Sequence, residues 1–190
     1  MTKIALIRHF PTAWNGEARL QGQADIPLTD DARDKLRGLA MPPPWNAVRL
    51  IASPLSRALE TAQILADGRE IVTEPRLVEL SWGEWEGRQA KDLAVDPTAN
   101  FRPTHLWGPD DHAPGGESPA QAWARTQPAL VDIARGDTAV LVTHKALMRL
   151  ILRHAGIAEP EIKRGRLYPL TLSPDGIPHS PEPPVRLVPR

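Results

Sequence analysis

Apolar runs and amphipathic stretches alternate along the chain in the rhythm of strand followed by helix. Ile4-Ala5-Leu6-Ile7 is apolar without a break, as expected of a strand buried on both faces of a sheet. Leu28-Thr29-Asp30-Asp31 reads as a helix start, with Thr29 as cap and two carboxylates in the first turn. That helix is expected to run to about Leu39, and Pro42-Pro43-Pro44 stops it. Val48 to Ala52 is a second apolar strand. Ser53-Pro54 opens the next helix, with Ser53 as cap and Pro54 in the first turn. Leu55, Leu59, Ala62 and Leu65 share a face of it, and it ends before Gly68. Ile71-Val72 is a weak strand.

Residues 81–117 break the rhythm. They are irregular and rich in Trp, Gly, Pro and Asp, and read as loops and a short helix covering a site. Ser118-Pro119-Ala120-Gln121 is a capping-box pattern, and its helix should end near Arg135-Gly136. Ala139 to Thr143 is the clearest buried strand. The next helix begins directly after His144 and ends near Gly156. Leu167 to Leu172 is expected at a sheet edge, because Pro169 has no N–H for a ladder. Six prolines after Ser173 predict a loosely ordered tail. The whole predicts a single α/β domain over residues 1–190, a three-layer α/β/α sandwich with a mainly parallel central sheet and a Pro-rich C-terminal tail at 173–190.

Open α/β sheets bind ligands at the carboxyl ends of their strands. Arg8-His9 falls at one such end and His144 at another. The turn Phe10-Pro11-Thr12-Ala13-Trp14-Asn15 adds a hydroxyl and an amide, which makes a cradle for an oxyanion with a nucleophile inside it. The plainer alternative is a strand end with a solvated Arg and a His satisfied by a carbonyl.

Composition narrows the function. Lys+Arg 23 balances Asp+Glu 23 at a pI near 7.0, so no basic face invites a nucleic acid or an anionic membrane. A local positive pocket is compatible with zero net charge. Trp82, Trp85 and Trp107 are then expected to pack the loop cover rather than stack on bases. Cys is absent, which excludes disulfides, thiolate metal sites and cysteine nucleophiles. No His/Asp/Glu set has metal-ligand spacing, and neither metal nor cofactor is expected. His105, His112, His154 and His179 fit no motif and are expected to be surface or structural residues. The N-terminus lacks a signal-peptide core and no stretch is long enough to span a bilayer. A cytoplasmic protein is the default expectation.

Four segments, in order, resemble the histidine phosphatase superfamily, also called phosphoglycerate mutase-like. Arg8-His9-Phe10-Pro11-Thr12-Ala13-Trp14-Asn15 resembles its Arg-His-small signature, with the hydroxyl and the Asn in place. Ser53-Pro54-Leu55-Ser56-Arg57-Ala58-Leu59-Glu60-Thr61-Ala62 resembles its Ser-Pro-x-x-Arg-Ala-x-x-Thr-Ala pattern. Leu77-Val78-Glu79-Leu80-Ser81-Trp82-Gly83-Glu84-Trp85-Glu86-Gly87 resembles its Leu-x-Glu-x-x-x-Gly-x-Trp-Glu-Gly segment. Val140-Leu141-Val142-Thr143-His144 resembles its strand ending in Ser/Thr-His-Gly or Ser/Thr-His-Ala. The resemblance spans roughly residues 3 to 172.

It implies a metal-independent phosphomonoester hydrolase acting on a small phosphorylated metabolite and releasing inorganic phosphate. His9 would be the nucleophile, with Arg8, Arg57, His144 and Asn15 on the phosphoryl oxygens and Thr12 assisting. An always-charged guanidinium can grip two phosphate oxygens at once. Glu79 falls at the general-acid position, with Glu84 and Glu86 as competing carboxylates. Pro114-Gly115-Gly116-Glu117-Ser118 resembles a substrate-side loop of the phosphoglycerate mutase and α-ribazole phosphatase branches, and Gln21-Gly22 another substrate-side position. Two positions depart from the pattern: Phe10 and Lys145 stand where the family carries small residues. Phe10 would wall the pocket. Lys145 would add charge at its rim, its backbone N–H facing the phosphoryl oxygens, and favour a second anionic group on the substrate. Three alternatives remain open: a mutase returning the phosphoryl group, a phosphatase of protein phosphohistidine, and a non-catalytic phosphate-binding module.

Overall fold

The computed structural model describes residues 1–93, 108–158 and 160–190. In chain order the elements are β1 (Thr2–Arg8), α1 (Ala13–Gly16), α2 (Asp30–Arg37), β2 (Leu39–Ala40), β3 (Arg49–Ala52), α3 (Ser56–Ala66), β4 (Ile71–Thr73), α4 (Ala90–Leu93), α5 (Pro119–Ala134), β5 (Ala139–Thr143), α6 (Lys145–His154), β6 (Arg166–Leu172), β7 (Pro178–His179), β8 (Val185–Arg186) and β9 (Val188–Pro189).

Successive side chains of β1 feed two different cores. Ile4 and Leu6 pack among Leu130 and Ile133 of α5 and Leu147, Met148 and Ile151 of α6. Ala5 and Ile7 pack among Ala32 and Leu36 of α2 and Ala58, Ala62 and Leu65 of α3. A strand covered by helices on both faces has no polar alternation to show, hence the unbroken apolar run. Among the described residues the sheet order is β4-β3-β5-β1-β6-β7, with β8 also on β6. β4, β3, β5 and β1 run parallel. β6, β7 and β8 join antiparallel. The result is the expected three-layer sandwich with a mainly parallel sheet.

Thr29 caps α2, its hydroxyl accepting the Ala32 N–H, but the helix stops at Arg37 and Leu39 pairs with Pro189 of β9 instead. α3 also starts later than its Ser-Pro sequence suggests. Ser53 does not cap it; Leu55 is the N-cap residue, with no side-chain cap bond. The carboxylate of Asp25, from a distant loop, accepts both the Ser56 N–H and the Ser56 hydroxyl, at 2.7 and 2.8 Å. This leaves the Ser53 hydroxyl free for another partner.

β6 is not an edge strand. It lies against β1 with Pro169 opposite Ala5. The Pro169 carbonyl accepts the Glu182 N–H on the side away from β1. In an antiparallel strand a residue's N–H and C=O point the same way, so the missing N–H costs the β1 ladder nothing. Nor is the tail loose. β7 and β8 pair with β6, and β9 pairs with β2. Leu187 is buried and its N–H donates to Gly165 O. Arg190 donates to Leu39 O, Ile64 O and the Asp67 carboxylate. Pro174, Pro181, Pro183 and Pro184 sit between these short pairings, while Pro178 and Pro189 lie within them.

Trp82, Trp85, Leu93 and Ala113 form a small third core with Leu20, so two of the three expected cover tryptophans pack as such. Trp107 and His105 lie outside the described residues. His112, His154 and His179 are exposed, and His154 stacks on Trp123. No helix among the described residues is long and apolar enough to cross a membrane.

Candidate active site

β1 and β5 are neighbours running in the same direction, with Arg8 opposite Thr143. The residues after them therefore emerge together at one sheet edge. The His9 N–H donates to Thr143 O at 2.9 Å, and the rings of His9 and His144 lie 5.3 Å apart, tilted by 51°.

His9 is 3% exposed, and its Nδ1 lies 2.7 Å from Phe10 O. A carbonyl oxygen can only accept, so the proton sits on Nδ1 and Nε2 keeps its lone pair. Phe10 is itself fixed, its N–H donating to Thr61 Oγ1, which donates to Arg57 O. Burial, then the charges of Arg57 and Arg8, hold the His9 pKa well below its ordinary 6.5. The ring is neutral, as a nucleophile must be. His144 is fully buried, with Nε2 2.8 Å from Ser53 Oγ and Nδ1 unpartnered among the described residues. Burial and Arg57 also lower its pKa strongly.

Arg57, near the start of α3, is 1% exposed. Its Nη1 and Nη2 donate to the carbonyls of Ala24 and Gly22 at 2.7 and 2.6 Å. Nε is buried without a partner among the described residues. Two carbonyls thus aim a guanidinium that still has unused donors. Gly22 lets Glu86 pack against this turn: its φ is +51°, and a Cβ there would stand 2.1 Å from Glu86 Oε1. Arg8 also has an unpartnered buried Nε. Burial and Arg164 push its pKa down to about 10.

Thr12 is 2% exposed; its N–H donates to Asn15 Oδ1 at 3.1 Å and its hydroxyl to Gln21 Oε1 at 3.0 Å. Those bonds fix both amides at the wall of the cavity. The hydroxyl also lies 3.3 Å from Asn15 Oδ1, so its single proton faces both amide oxygens.

The structure sorts the three candidate carboxylates. Glu79 is 8% exposed at the site. Its Oε1 accepts the Leu80 and Leu147 N–H groups and its Oε2 the Ala146 N–H, at 3.0–3.1 Å. The first turn of α6 therefore serves this carboxylate, with Ala146 and Leu147 as donors. Glu86 accepts the N–H groups of Gln23, Ala24 and Trp82 and holds the turn that carries Gly22. Glu84 is exposed.

A cavity of about 320 Å³ opens over this edge. Arg8, His9, Asn15, Gln21, Gly22, Glu79 and Lys145 line it. Arg57 and His144 are buried behind His9. Phe10 does not wall the cavity: it is 7% exposed and packs in the α2–α3 core. Glu117, of the glycine-rich substrate-side candidate, makes a two-pronged ion pair with Arg125 of α5. Arg125 also donates to the carbonyls of Arg76 and Glu79. Arg125, Ser53 and Asp25 are positioning residues that sequence reasoning missed. Ser53 stood in a matched motif; the other two carried no signal short of their contacts. Arg149 and Arg153 were missed as lining residues, though their i, i+4 spacing from Lys145 was visible.

The family model described as histidine phosphatase superfamily (branch 1) matches residues 4–173. The chain belongs to the histidine phosphatase superfamily. This superfamily member is 36% identical over 181 residues to the probable phosphoglycerate mutase GpmB of Enterobacter sp. (strain 638), covering 91% of this chain and 84% of that protein. The structure of phosphoglycerate mutase from Thermus thermophilus aligns with a TM-score of 0.74 at 29% identity, over 98% of this chain and 99% of that one. TTHB049 from the same organism gives 0.75 at 29% identity with the same coverage.

Proposed function

We propose that this member of the histidine phosphatase superfamily hydrolyses the phosphomonoester of a small metabolite through a phosphohistidine at His9. The observation that carries this is the His9–Phe10 bond, which leaves a neutral ring with a free Nε2 at the cavity. Nε2 attacks phosphorus in line, the N–P bond forms and the ester P–O bond breaks. Arg8, Arg57, His144 and the Asn15 amide face the charge spread over the equatorial oxygens. Glu79 gives a proton to the departing ester oxygen from Oε2, which accepts only one backbone N–H. It then takes a proton from the water that attacks phosphohistidine, releasing inorganic phosphate and restoring His9. The positive charge that opposes the phosphoryl group comes from arginines, so no metal is required.

The name of the Enterobacter relative supports a second reading, in which the phosphoryl group returns from His9 to a phosphoglycerate hydroxyl instead of going to water.

The test is steady-state hydrolysis of p-nitrophenyl phosphate near pH 6 with EDTA, in wild type and His9→Ala, beside interconversion of 2- and 3-phosphoglycerate. Hydrolysis that survives EDTA and vanishes in the variant supports the phosphatase. Interconversion faster than phosphate release supports the mutase. Phosphate binding with turnover of nothing leaves a binding module.

A further inference from the structure

The cavity holds more positive charge than one phosphoryl group uses. α6 presents Lys145, Arg149 and Arg153 at intervals of four residues, and all three line the cavity. Residues four apart stand one above the other on a helix, about 6 Å apart per turn. Arg164, from the segment before β6, is close enough to lower the pKa values of Arg8, His9 and Lys145. Several arginines elsewhere in the fold are matched to carboxylates, Arg33 to Glu60, Arg76 to Glu74 and Arg125 to Glu117, and Arg49, Arg57 and Arg69 to backbone carbonyls. Among the described residues Lys145, Arg149 and Arg164 form no such pair. Arg149 Nε and Arg164 Nε and Nη2 are buried with no hydrogen-bond partner. The carboxylate that faces the group, Glu79, is already held by three backbone N–H groups. Lys145 is exposed and the three arginines are half-buried; clustered like charges with buried, unpaired donors are costly unless an anion arrives to meet them.

We infer that the cavity has a second anion subsite, formed by Lys145, Arg149 and Arg153 along α6 with Arg164 behind them, and that the substrate carries a second anionic group beside the phosphomonoester. This rests on the phosphatase reading for what happens at His9, but not for binding. Lys145 stands at the Glu79 end of the cavity, and Arg149 and Arg153 lie about one and two turns further along α6. The second group therefore sits on the order of 6–10 Å from the reacting phosphorus, the span of a short carbon chain. A phosphate and a carboxylate share the required chemistry, because each accepts paired bonds from a guanidinium.

The experiment measures binding without turnover. Wild-type protein is titrated by calorimetry with methylphosphonate, 3-phosphonopropionate and propane-1,3-bisphosphonate. The two-anion compounds should bind about tenfold or more tighter than methylphosphonate, each charge-assisted contact being worth roughly that factor. Whichever of the two binds tighter identifies the second group as carboxylate or phosphate. In Arg149→Gln/Arg153→Gln that preference should collapse to near unity, whereas Arg37→Gln, an exposed change on α2, should keep it. Equal affinity for one-anion and two-anion compounds in wild type overturns the inference, as does a preference that survives the double variant. Failure of p-nitrophenyl phosphate hydrolysis would sink the phosphatase reading and leave this result standing.

Discussion

Ser53 Oγ lies 2.8 Å from His144 Nε2, and this is the hydrogen bond that the buried ring makes among the described residues. Ser53 follows β3, which neighbours β5 in parallel, so the contact joins the ends of two adjacent strands. Among the described residues no other hydrogen bond fixes the orientation of this ring. Ser53→Ala should lower kcat by about tenfold with little change in KM, the pattern of a contact felt mainly in the transition state. It should also cost about 1–2 kcal/mol, since a buried polar atom is left without a partner. Ser53→Thr keeps the hydroxyl and should restore most of the kcat. Wild-type kcat in Ser53→Ala would show that His144 is held by other means.

The two buried histidines set a pH dependence. Both have folded pKa values well below 6.5, mainly through burial. Below pH 6.5 the unfolded chain binds protons at these positions and the folded chain does not, so stability falls as pH falls from about 6.5 toward the folded values. Each contributes up to about 1.4 kcal/mol per pH unit in that window. Urea unfolding between pH 7 and pH 5 should show the loss, and His9→Gln should make it less steep. The same lowering keeps the His9 nucleophile neutral, so its acid limb in kcat/KM should lie well below 6.5. An acid limb centred near 6.5 would contradict the neutral, buried His9.

Gly22 links conformation to phosphate binding. A Cβ there meets Glu86 and the Trp82 N–H, in a backbone region that side chains disfavour. Gly22→Ala should cost about 2–4 kcal/mol from strain and overpacking. Because the Gly22 carbonyl holds Arg57 Nη2, KM for phosphomonoesters should rise as well. A stable variant with unchanged KM would show that Arg57 is aimed by Ala24 alone.

Much of the sheet was legible because burial on both faces leaves an unbroken apolar run, as in Ile4–Ile7 and Ala139–Thr143. The histidines followed from that, since parallel neighbours deliver their following residues to one edge. Helix starts were legible where the cap is local, as at Thr29 and Ser118. The α3 start was not, because Asp25 supplies its cap from 31 residues away. Pro169 misled because a proline reveals a missing donor but not which side of the strand it faces. The tail misled because its pairings are each two residues long and made with β6 and β2. Phe10 was misplaced because adjacency to His9 in sequence says nothing about which way its ring turns.

Phe10 shows what that direction means for substrate choice. Its backbone carbonyl fixes the His9 tautomer, and its ring packs with Leu28, Ala32 and Trp45 away from the cavity. Phe10→Ala keeps the carbonyl and removes the ring. It should destabilise by about 3–5 kcal/mol and leave the ranking of phosphomonoester substrates intact at temperatures where the variant is folded. A reordered ranking would return Phe10 to the cavity wall.

Arg125 tests whether the Glu79 segment is held from behind. Its guanidinium spans Glu117, through two parallel contacts of 2.7 and 2.8 Å, and the carbonyls of Arg76 and Glu79. A lysine keeps the charge but cannot present a planar fork to four acceptors. Arg125→Lys should therefore lower kcat about tenfold through a displaced Glu79, while KM for a simple phosphomonoester changes little because Arg8, Arg57 and His9 are untouched. The discriminating readout is a substrate with a good leaving group. If Glu79 donates a proton to the departing oxygen, p-nitrophenyl phosphate needs that proton less than an alkyl phosphate does. The loss in Arg125→Lys should then be several-fold larger on the alkyl ester. Equal losses on both would mean that Arg125 supports the fold of the site and not the placement of its acid.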